Sequence, residues 1–410
     1  MNLAVPAYPS AVFDRLARWC LVALFFMVPI TLAGANIALA CTLLFWLLAG
    51  RWRERAEAVR SLPVAFPLLG LFGLVVLGCL YSDASHKEMT HHVLKFSKLV
   101  WIVMAATLLV RPDTHAQCWR AFTLAALITL GFSYLNIWWN PSWSKTHNQG
   151  WGVDHTVFKD YISQGAVIAL LMVRGLHQGW LATVPWRRWA WWTVAALAFV
   201  CNTQLSMGRT GYLATGVALL VFVLAVVPRR RWLPALAALV VVAGISVATS
   251  PQLQQRAVLA VSELNDHKTG TLSSIGQRMY FWTRSVELIA ERPVWGWGTG
   301  AYHRQYCRVA TTPEWCAAGQ FHPHNQFLFF GVQYGALGLL LFLAVFVQAA
   351  RAGRTWPTPS RALLWSYLAI LAVGSMTHSS LWLSSESFFY AFALALVVTL
   401  KPQRPAAAPV

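Results

Sequence analysis

Long runs of apolar residues recur through almost the whole chain, and they constrain its fold more than any other feature. Each run has about 17 to 25 residues, the length that crosses the hydrocarbon core of a bilayer as a helix. Only 11% of the 410 residues are charged and 57% are hydrophobic, which is too apolar for a soluble domain of this length. Backbone polar groups inside a bilayer must be satisfied within the chain, so helices are expected. The sequence therefore predicts an all-α integral membrane protein.

The apolar runs predict about twelve transmembrane helices. They lie near residues 16–31, 34–50, 62–80, 92–110, 116–138, 159–176, 188–206, 211–228, 232–249, 326–349, 362–378 and 385–400. The first run follows Arg15 and Arg18 and resembles a signal sequence. Because the next run follows almost at once and no small-residue cleavage site stands out, we expect an uncleaved anchor.

The positive charge of the chain predicts its orientation. A net charge of +18 would suit a nucleic-acid partner, but the arginines are collected in alternate short connections. One set of connections contains Arg51, Arg53, Arg55 and the run 229–231, whereas the opposite set contains few cations. This bias predicts that the arginine-rich connections and both termini are cytoplasmic.

One long connection, residues 250–324, is then placed on the outer face. It carries too many aromatic residues to be disordered, so we expect it to fold. The chain divides accordingly into helices 1–9 (residues 1–249), this loop with an amphipathic helix, and helices 10–12 with a short cytoplasmic tail (residues 325–410). Cys307 and Cys316 are the cysteines of the outer loop, and an isolated pair in an oxidising compartment predicts a disulfide.

The amphipathic helix is predicted to begin near Arg278 and to end before Pro293. Its apolar residues recur near helical spacing at Phe281, Trp282, Val286 and Ile289, which is typical of a helix resting on a membrane surface. For Arg284 and Arg292 we favour binding of anionic lipid. The glycine-rich segment GWGTG at residues 296–300 follows no strand, so a tight turn for close backbone approach is favoured over a nucleotide-binding loop.

Titratable and amide side chains that could take part in catalysis adjoin an apolar run in FHPHNQFLFF, residues 321–330. His322 is expected to cap a helix or tether the loop. A metal site formed with His303, Cys307 or Cys316 fits no familiar zinc spacing, so no metal is predicted. Arg209, in QLSMGRTGYL at an outer helix end, is either a functional cation or an interfacial arginine that snorkels toward headgroups.

Several of these motifs together resemble the O-antigen ligase and polymerase superfamily of bacterial envelope enzymes. The matching residues are His324, Asn325, Leu328, Gly335 and Gly338; Arg278 and Trp282; Pro293, Gly296, Gly298 and Gly300; and Ser206 with Arg209. One departure is Gln333, where members often carry an acidic residue. Within the superfamily, the single large outer loop and the short carboxy-terminal tail make the chain most similar to the ligases.

The resemblance implies a metal-independent and cofactor-free glycosyltransferase similar to the GT-C class, in the bacterial inner membrane with its site facing the periplasm. Such ligases transfer O-antigen polysaccharide from undecaprenyl pyrophosphate to a sugar hydroxyl of lipid A-core, in lipopolysaccharide biosynthesis. Alternatives are an O-antigen polymerase, a protein O-oligosaccharyltransferase, or a transporter of lipid-linked sugar that uses the same arginines without reaction.

Residue chemistry fits this transfer. A departing diphosphate gathers negative charge, and no carboxylate cluster is present on the outer loops to hold Mg²⁺, so Arg209 and Arg278 are assigned to stabilise it. His324, with an ordinary pKa near ~6.5, is assigned as general base, and one direct displacement inverts the linkage. Contacts to substrate are assigned to Asn325, Trp282, His322 and Gln277.

Overall fold

The computed structural model describes residues 9–265 and 274–400, and in these ranges the chain is helical, with no β-strand. The helices are α1 (Pro9–Ile30), α2 (Leu32–Ala49), α3 (Trp52–Ser61), α4 (Ala65–Leu77), α5 (His86–Phe96), α6 (Lys98–Leu109), α7 (Pro112–Leu135), α8 (Tyr161–Leu181), α9 (Pro185–Gln204), α10 (Arg209–Val226), α11 (Trp232–Thr249), α12 (Pro251–Asn265), α13 (Ser274–Glu291), α14 (Tyr302–Val309), α15 (Pro313–Gly319), α16 (Gln326–Ala352), α17 (Thr358–Thr377) and α18 (Ser384–Val398).

Every apolar run identified in the sequence overlaps one of these helices. Among the described residues, six helices are long and apolar enough to cross a membrane, or up to seven if the bent pair Trp52–Ser61 and Ala65–Leu80 counts as one span. Helix α18 is apolar but has only 15 residues. Only 6% of the residues in the apolar part of the segment Arg229–Thr249 are buried inside the protein. The apolar side chains of this segment therefore face the surroundings of the protein. These helices indicate a multi-pass membrane protein.

The centre of the helical body is formed by α8, α10 and α17, which pack against one another. Helices α8 and α10 approach closely at two glycines, because a Cβ atom on Gly165 would lie 3.0 Å from the Cα of Gly211. Small residues allow this kind of backbone approach between membrane helices. Asn202 on α9 locks the crossing by donating to the carbonyl of Gly165 (2.9 Å) and to the hydroxyl of Thr215 (2.7 Å).

The described part of the long outer connection folds onto the helical body. The aromatic face of α13 docks on the α14–α15 pair, where the ring of Tyr280 stacks on Trp315 with centroids 4.1 Å apart. Cys307 and Cys316 are disulfide-bonded across these two short helices, with Cα atoms 4.7 Å apart. Phe281 is 1% exposed. Of the four apolar residues expected to rest on the membrane, Phe281 is therefore buried inside the protein, Trp282 and Ile289 are partly buried, and Val286 remains 55% exposed.

Helix α16 is broken at Gly335, and the glycine-rich turn 296–300 fills the break. Gly335 has φ 58°, ψ −149° inside the helix. The amides of Trp297 and Gly298 donate to the carbonyls of Val332 (2.9 Å) and Gln333 (2.8 Å), and Ala336 donates to Pro293 (2.7 Å). The backbone groups released by the break are therefore satisfied. The predicted tight turn is confirmed, and it approaches a helix.

The conformation of Gly335 predicts that a side chain at this position would destabilise the fold. Gly335→Ala should lower the free energy of unfolding by about 2 kcal/mol or more, because a Cβ atom there would lie 2.4 Å from the carbonyl carbon of Val294. Thermal unfolding in detergent measures the effect. The matched control is Gly216→Ala on α10, where a Cβ atom meets nothing within 4 Å; its melting temperature should be unchanged or higher. Equal melting temperatures for the two variants would contradict the account.

Candidate functional site

His324 lies where α13 meets the start of α16. The carbonyl of the preceding Pro323 accepts a hydrogen bond from the indole nitrogen of Trp282 (3.1 Å). The following Asn325 caps α16 through its side-chain oxygen, which accepts from the amide of Leu328 (3.1 Å). Between these anchors His324 has φ 52°, an uncommon conformation for a residue other than glycine. Such strain persists where neighbouring contacts hold it, and it is frequent at functional positions.

Two further histidines surround the His324 ring. The centroid of His322 lies 4.3 Å away and that of His378 lies 5.1 Å away. His322 also tethers the loop, because its Nδ1 accepts from the amide of His324 (3.3 Å). His378 follows the end of α17, and its Nδ1 lies 3.7 Å from a carboxylate oxygen of Glu386 on α18. The helix ends of α16, α17 and α18 therefore bring three imidazoles and one carboxylate together.

Burial and positive charge keep these histidines neutral. Burial is the main cause that lowers the pKa of His324 to about 4, and the charge of Arg278 lowers it further. Burial, followed by the neighbouring His324, lowers the pKa of His322 to about 3. An imidazole with a depressed pKa carries no charge at neutral pH. An anion bound among these groups would raise each pKa, since it would stabilise the charged form.

The start of α10 is held next to the end of α17. The hydroxyl of Thr210, the residue after Arg209, donates to the hydroxyl of Thr377 (3.2 Å), the residue before His378. On the other side, a Cβ atom on Gly208 would lie 3.2 Å from the carbonyl oxygen of Tyr161. These two contacts place the backbone of Arg209 between the His378 segment and the start of α8.

Asp160 connects the start of α8 to the start of α18. Its carboxylate accepts from the amides of Ile162 (3.0 Å) and Ser163 (2.9 Å), which caps α8. The hydroxyl of Ser385 also donates to it (3.3 Å). The adjacent Glu386 interacts electrostatically with both Asp160 and Arg278. Arg278 on α13 thus acts on His324 and on Glu386, which belong to different helices.

Lys95 on α5 contributes a cation beside the loop between α17 and α18. Its ammonium group donates to the hydroxyl of Ser384 and lies 5.6 Å from the centroid of the Trp382 ring. Trp382 is buried against His92, with ring centroids 4.1 Å apart. The loop between α17 and α18, which carries His378, is therefore fastened from α5.

Several polar atoms of the site are buried without a hydrogen-bond partner in the described part of the chain. They are Nδ1 of His324, both ring nitrogens of His378 and one carboxylate oxygen of Glu386. Buried polar groups in proteins are nearly always satisfied, so each exception needs an explanation. A polar ligand that enters the cluster provides one.

The histidine and acidic side chains of this region could also be considered as metal ligands. Across residues 9–265 and 274–400, no group of three or more histidine, cysteine, aspartate or glutamate side chains is arranged to hold a metal ion. His322 and His324 belong to the imidazole cluster, whereas His303 pairs with Glu88 (3.1 Å).

The structure thus brings four of the residues selected from the sequence into one neighbourhood: Arg278, Trp282, His322 and His324. Gln277 adjoins Arg278 in the first turns of α13. Asn325 has a complete structural role as a helix cap. Gln333, at the position where members of the resembled family often carry an acidic residue, accepts from the amide of Gly300 (2.9 Å) and so secures the glycine turn.

His378, Glu386, Asp160 and Lys95 also belong to this neighbourhood, and no sequence motif identified them. His378, Glu386 and Asp160 lie at or near the ends of apolar helices, where scarce ionisable residues are themselves a signal of function, whereas Lys95 lies on the polar helix α5. Spacing could not reveal these four residues because they come from four separate helices or loops.

Comparison with known proteins gave a match to the part of the chain that contains most of this site. Residues 194–343 match the family model described as O-antigen ligase. The match confirms the resemblance inferred from the sequence motifs. The matched region contains Arg209, Arg278 and His324, whereas His378 and Glu386 lie beyond it. A search of curated proteins gave no match.

The matched family consists of membrane enzymes of the O-antigen ligase or polymerase type, and the match implies glycosyl transfer with lipid-linked sugar substrates.

The depressed pKa of His322 predicts how stability depends on pH. Between its ordinary pKa of 6.5 and the folded value of about 3, the unfolded chain binds a proton that the folded chain does not, so acidification lowers stability. His322→Gln should reduce the slope of unfolding free energy against pH by up to about 1.4 kcal/mol per pH unit. Thermal unfolding at several pH values measures this slope.

The control for this measurement is His147→Gln, because His147 is exposed and belongs to no ion pair in the described part of the chain. Its slope should equal that of the unaltered protein. An unchanged slope for His322→Gln would mean that His322 is as easily protonated in the folded protein as in the unfolded chain.

Proposed function

We propose that the protein is an O-antigen ligase, which transfers O-antigen polysaccharide from undecaprenyl pyrophosphate to a sugar hydroxyl of lipid A-core. The observation that carries this proposal is the partly buried imidazole of His324, which has a strained backbone and a buried, unsatisfied Nδ1 and whose pKa is lowered by the charge of Arg278 in addition to burial. It lies inside the region that matches the O-antigen ligase family.

In this proposal the chain crosses the bacterial inner membrane about twelve times, with both termini in the cytoplasm and the site facing the periplasm. The starts of α8, α10, α16 and α18 and the end of α17 meet on one side, which supports a common outer face. Residues 1–249 and 325–410 form the membrane body of a GT-C-like enzyme, and residues 250–324 cover it from the periplasm.

The reaction is a single inverting displacement. The hydroxyl of the acceptor sugar attacks the anomeric carbon as His324 takes its proton. The bond from that carbon to the diphosphate oxygen breaks, and undecaprenyl pyrophosphate leaves with the electron pair. Arg278 and Arg209 stabilise the negative charge that gathers on it, and no metal ion is required.

Binding of the lipid-linked donor is expected to change the pKa of His324. A pKa of about 4 leaves His324 neutral in the free enzyme but makes it a weak proton acceptor. The charge of a bound diphosphate beside Arg278 offsets the effect of the arginine, so the pKa of His324 rises when the donor is present. Proton transfer then becomes favourable only after the donor is bound.

His378 and Glu386 are assigned as positioning residues. The Glu386 carboxylate lies 3.7 Å from His378, and the His378 ring packs edge-on against that of His324. This arrangement restricts rotation of the His324 imidazole, because the His378 ring beside it is held in turn by Glu386.

Purified protein with the two lipid substrates in detergent tests the general base. His324→Ala should lower kcat/KM for joining them by about a hundredfold or more, whereas His303→Ala should not. For the unaltered enzyme, kcat/KM should hold as the pH falls below 6.5 and decline near the folded pKa of about 4, because only the neutral imidazole accepts a proton. Joining by His324→Ala at the normal rate would exclude this histidine as the base. Transport without joining would favour the transporter alternative.

The two arginines are tested separately. Arg278→Ala and Arg209→Ala should each lower the rate by about 10²- to 10³-fold, the usual loss when a charge-stabilising donor is removed. The control is Arg304→Ala, whose side chain is 69% exposed and pairs with Asp83 (3.6 Å). EDTA should have no effect on the unaltered enzyme. Activity that EDTA abolishes and a divalent ion restores would overturn the metal-free mechanism.

A further inference from the structure

A second concentration of arginines lies at the opposite end of the helices from the histidine cluster. There, α1 and α7 pack side by side and line an open cavity of about 360 Å³. Helix α7 leads into the loop that ends at Asp160 beside the histidines, so the start of α7 is at the far end. The cavity is lined by Arg15, Arg18, Trp19, Asp113, Ala116, Gln117 and Arg120.

Helical spacing explains how this cavity is built. The lining residues of α7 follow one face at intervals of three and four, from Asp113 to Arg120. Arg15, Arg18 and Trp19 of α1 are likewise three and four residues apart. Ala116 lies in the middle of the α7 face, and its small side chain leaves the space that the arginines surround.

The lining is positively charged, since three arginines face one carboxylate, that of Asp113. Within residues 9–265 and 274–400, no ion pair involves Arg15 or Arg120. Arg18 is oriented through its Nε, which lies 3.3 Å from the buried carboxylate of Asp14. That carboxylate is shared with Arg51 (3.3 Å) and Arg111 (3.8 Å), so it does not neutralise the cavity.

The cavity also adjoins an apolar surface. Trp19, which lines it, is 56% exposed, and Leu16 on the same helix is 37% exposed. Trp19 lies near the start of the apolar run 16–31, and an aromatic ring at the end of such a run is typical of the membrane interface. A ligand that fits both features has a phosphate among the arginines and an apolar tail along α1, whereas free phosphate would use the arginines alone.

We propose that this cavity binds the headgroup of an anionic membrane lipid such as phosphatidylglycerol. Basic pockets between transmembrane helices recognise such headgroups, and arginine pairs well with phosphate oxygens. In the orientation proposed above, the lipid belongs to the cytoplasmic leaflet. The site is separate from the proposed transfer reaction, and binding does not depend on that reaction.

Native mass spectrometry of the full chain in detergent, titrated with phosphatidylglycerol, tests the proposal. The variant Arg15→Gln/Arg18→Gln/Arg120→Gln should bind this lipid about tenfold or more weakly than the unaltered protein. The matched control, Arg53→Gln/Arg60→Gln/Arg230→Gln, removes the same charge from exposed positions outside the cavity and should bind within about twofold. An equal loss in both variants would mean diffuse surface attraction and would overturn the site.

A second variant fills the cavity without changing its charge. Ala116→Trp should weaken phosphatidylglycerol binding by a comparable factor, and a melting temperature close to that of the unaltered protein shows that the fold is intact. Phosphatidylcholine should bind weakly to every form. Displacement of phosphatidylglycerol by millimolar inorganic phosphate, or full binding by Ala116→Trp, would contradict a lipid headgroup site.

Discussion

The insertion of the glycine turn into the break of α16 is the contact on which the outer face of this protein depends. A helix broken at Gly335 exposes backbone groups that no water can satisfy inside a membrane, and the turn that follows α13 supplies their partners. The same turn reaches α4, because Thr299 donates through its hydroxyl to the carbonyl of Val75 (2.6 Å). Arg278 on α13 and His324 at the start of α16 consequently belong to one connected unit. Their separation is set by backbone hydrogen bonds, with side-chain packing added to them.

The second physical theme is the balance of charge at that face. Three imidazoles share a small volume with Arg278, and the carboxyl groups of Glu386 and Asp160 lie nearby. Burial alone would suppress protonation of the histidines, and the arginine suppresses it further. Such a cluster is most favourable when an anion is present, and we propose that the anion is the diphosphate of the donor lipid. The cluster then links occupation by the donor to the basicity of His324.

The site illustrates which residues sequence reasoning can find. His324, Arg278 and Arg209 were selected because they lie in motifs of a family whose model matches residues 194–343. His378 and Glu386 lie after that region, in a segment that is otherwise apolar and rich in serine. His378 also falls at the last residue of a predicted span, where its polarity indicated only a helix end. The electrostatic partners of His324 could be found only after α17 and α18 were packed against α16.

Hydrophobic length and periodicity are local properties, and for that reason the sequence by itself determined the helical class, the approximate position of every apolar helix, the amphipathic character of α13 and the tight turn of GWGTG. Which helix ends meet is a property of packing. The approach of α8 to α10 at Gly165 and Gly211, the burial of Phe281 in protein instead of lipid, and the gathering of three histidines from two distant segments required the tertiary structure. Long-range contacts of this kind depend on the complementary shapes of several helices at once, and no short stretch of sequence encodes them.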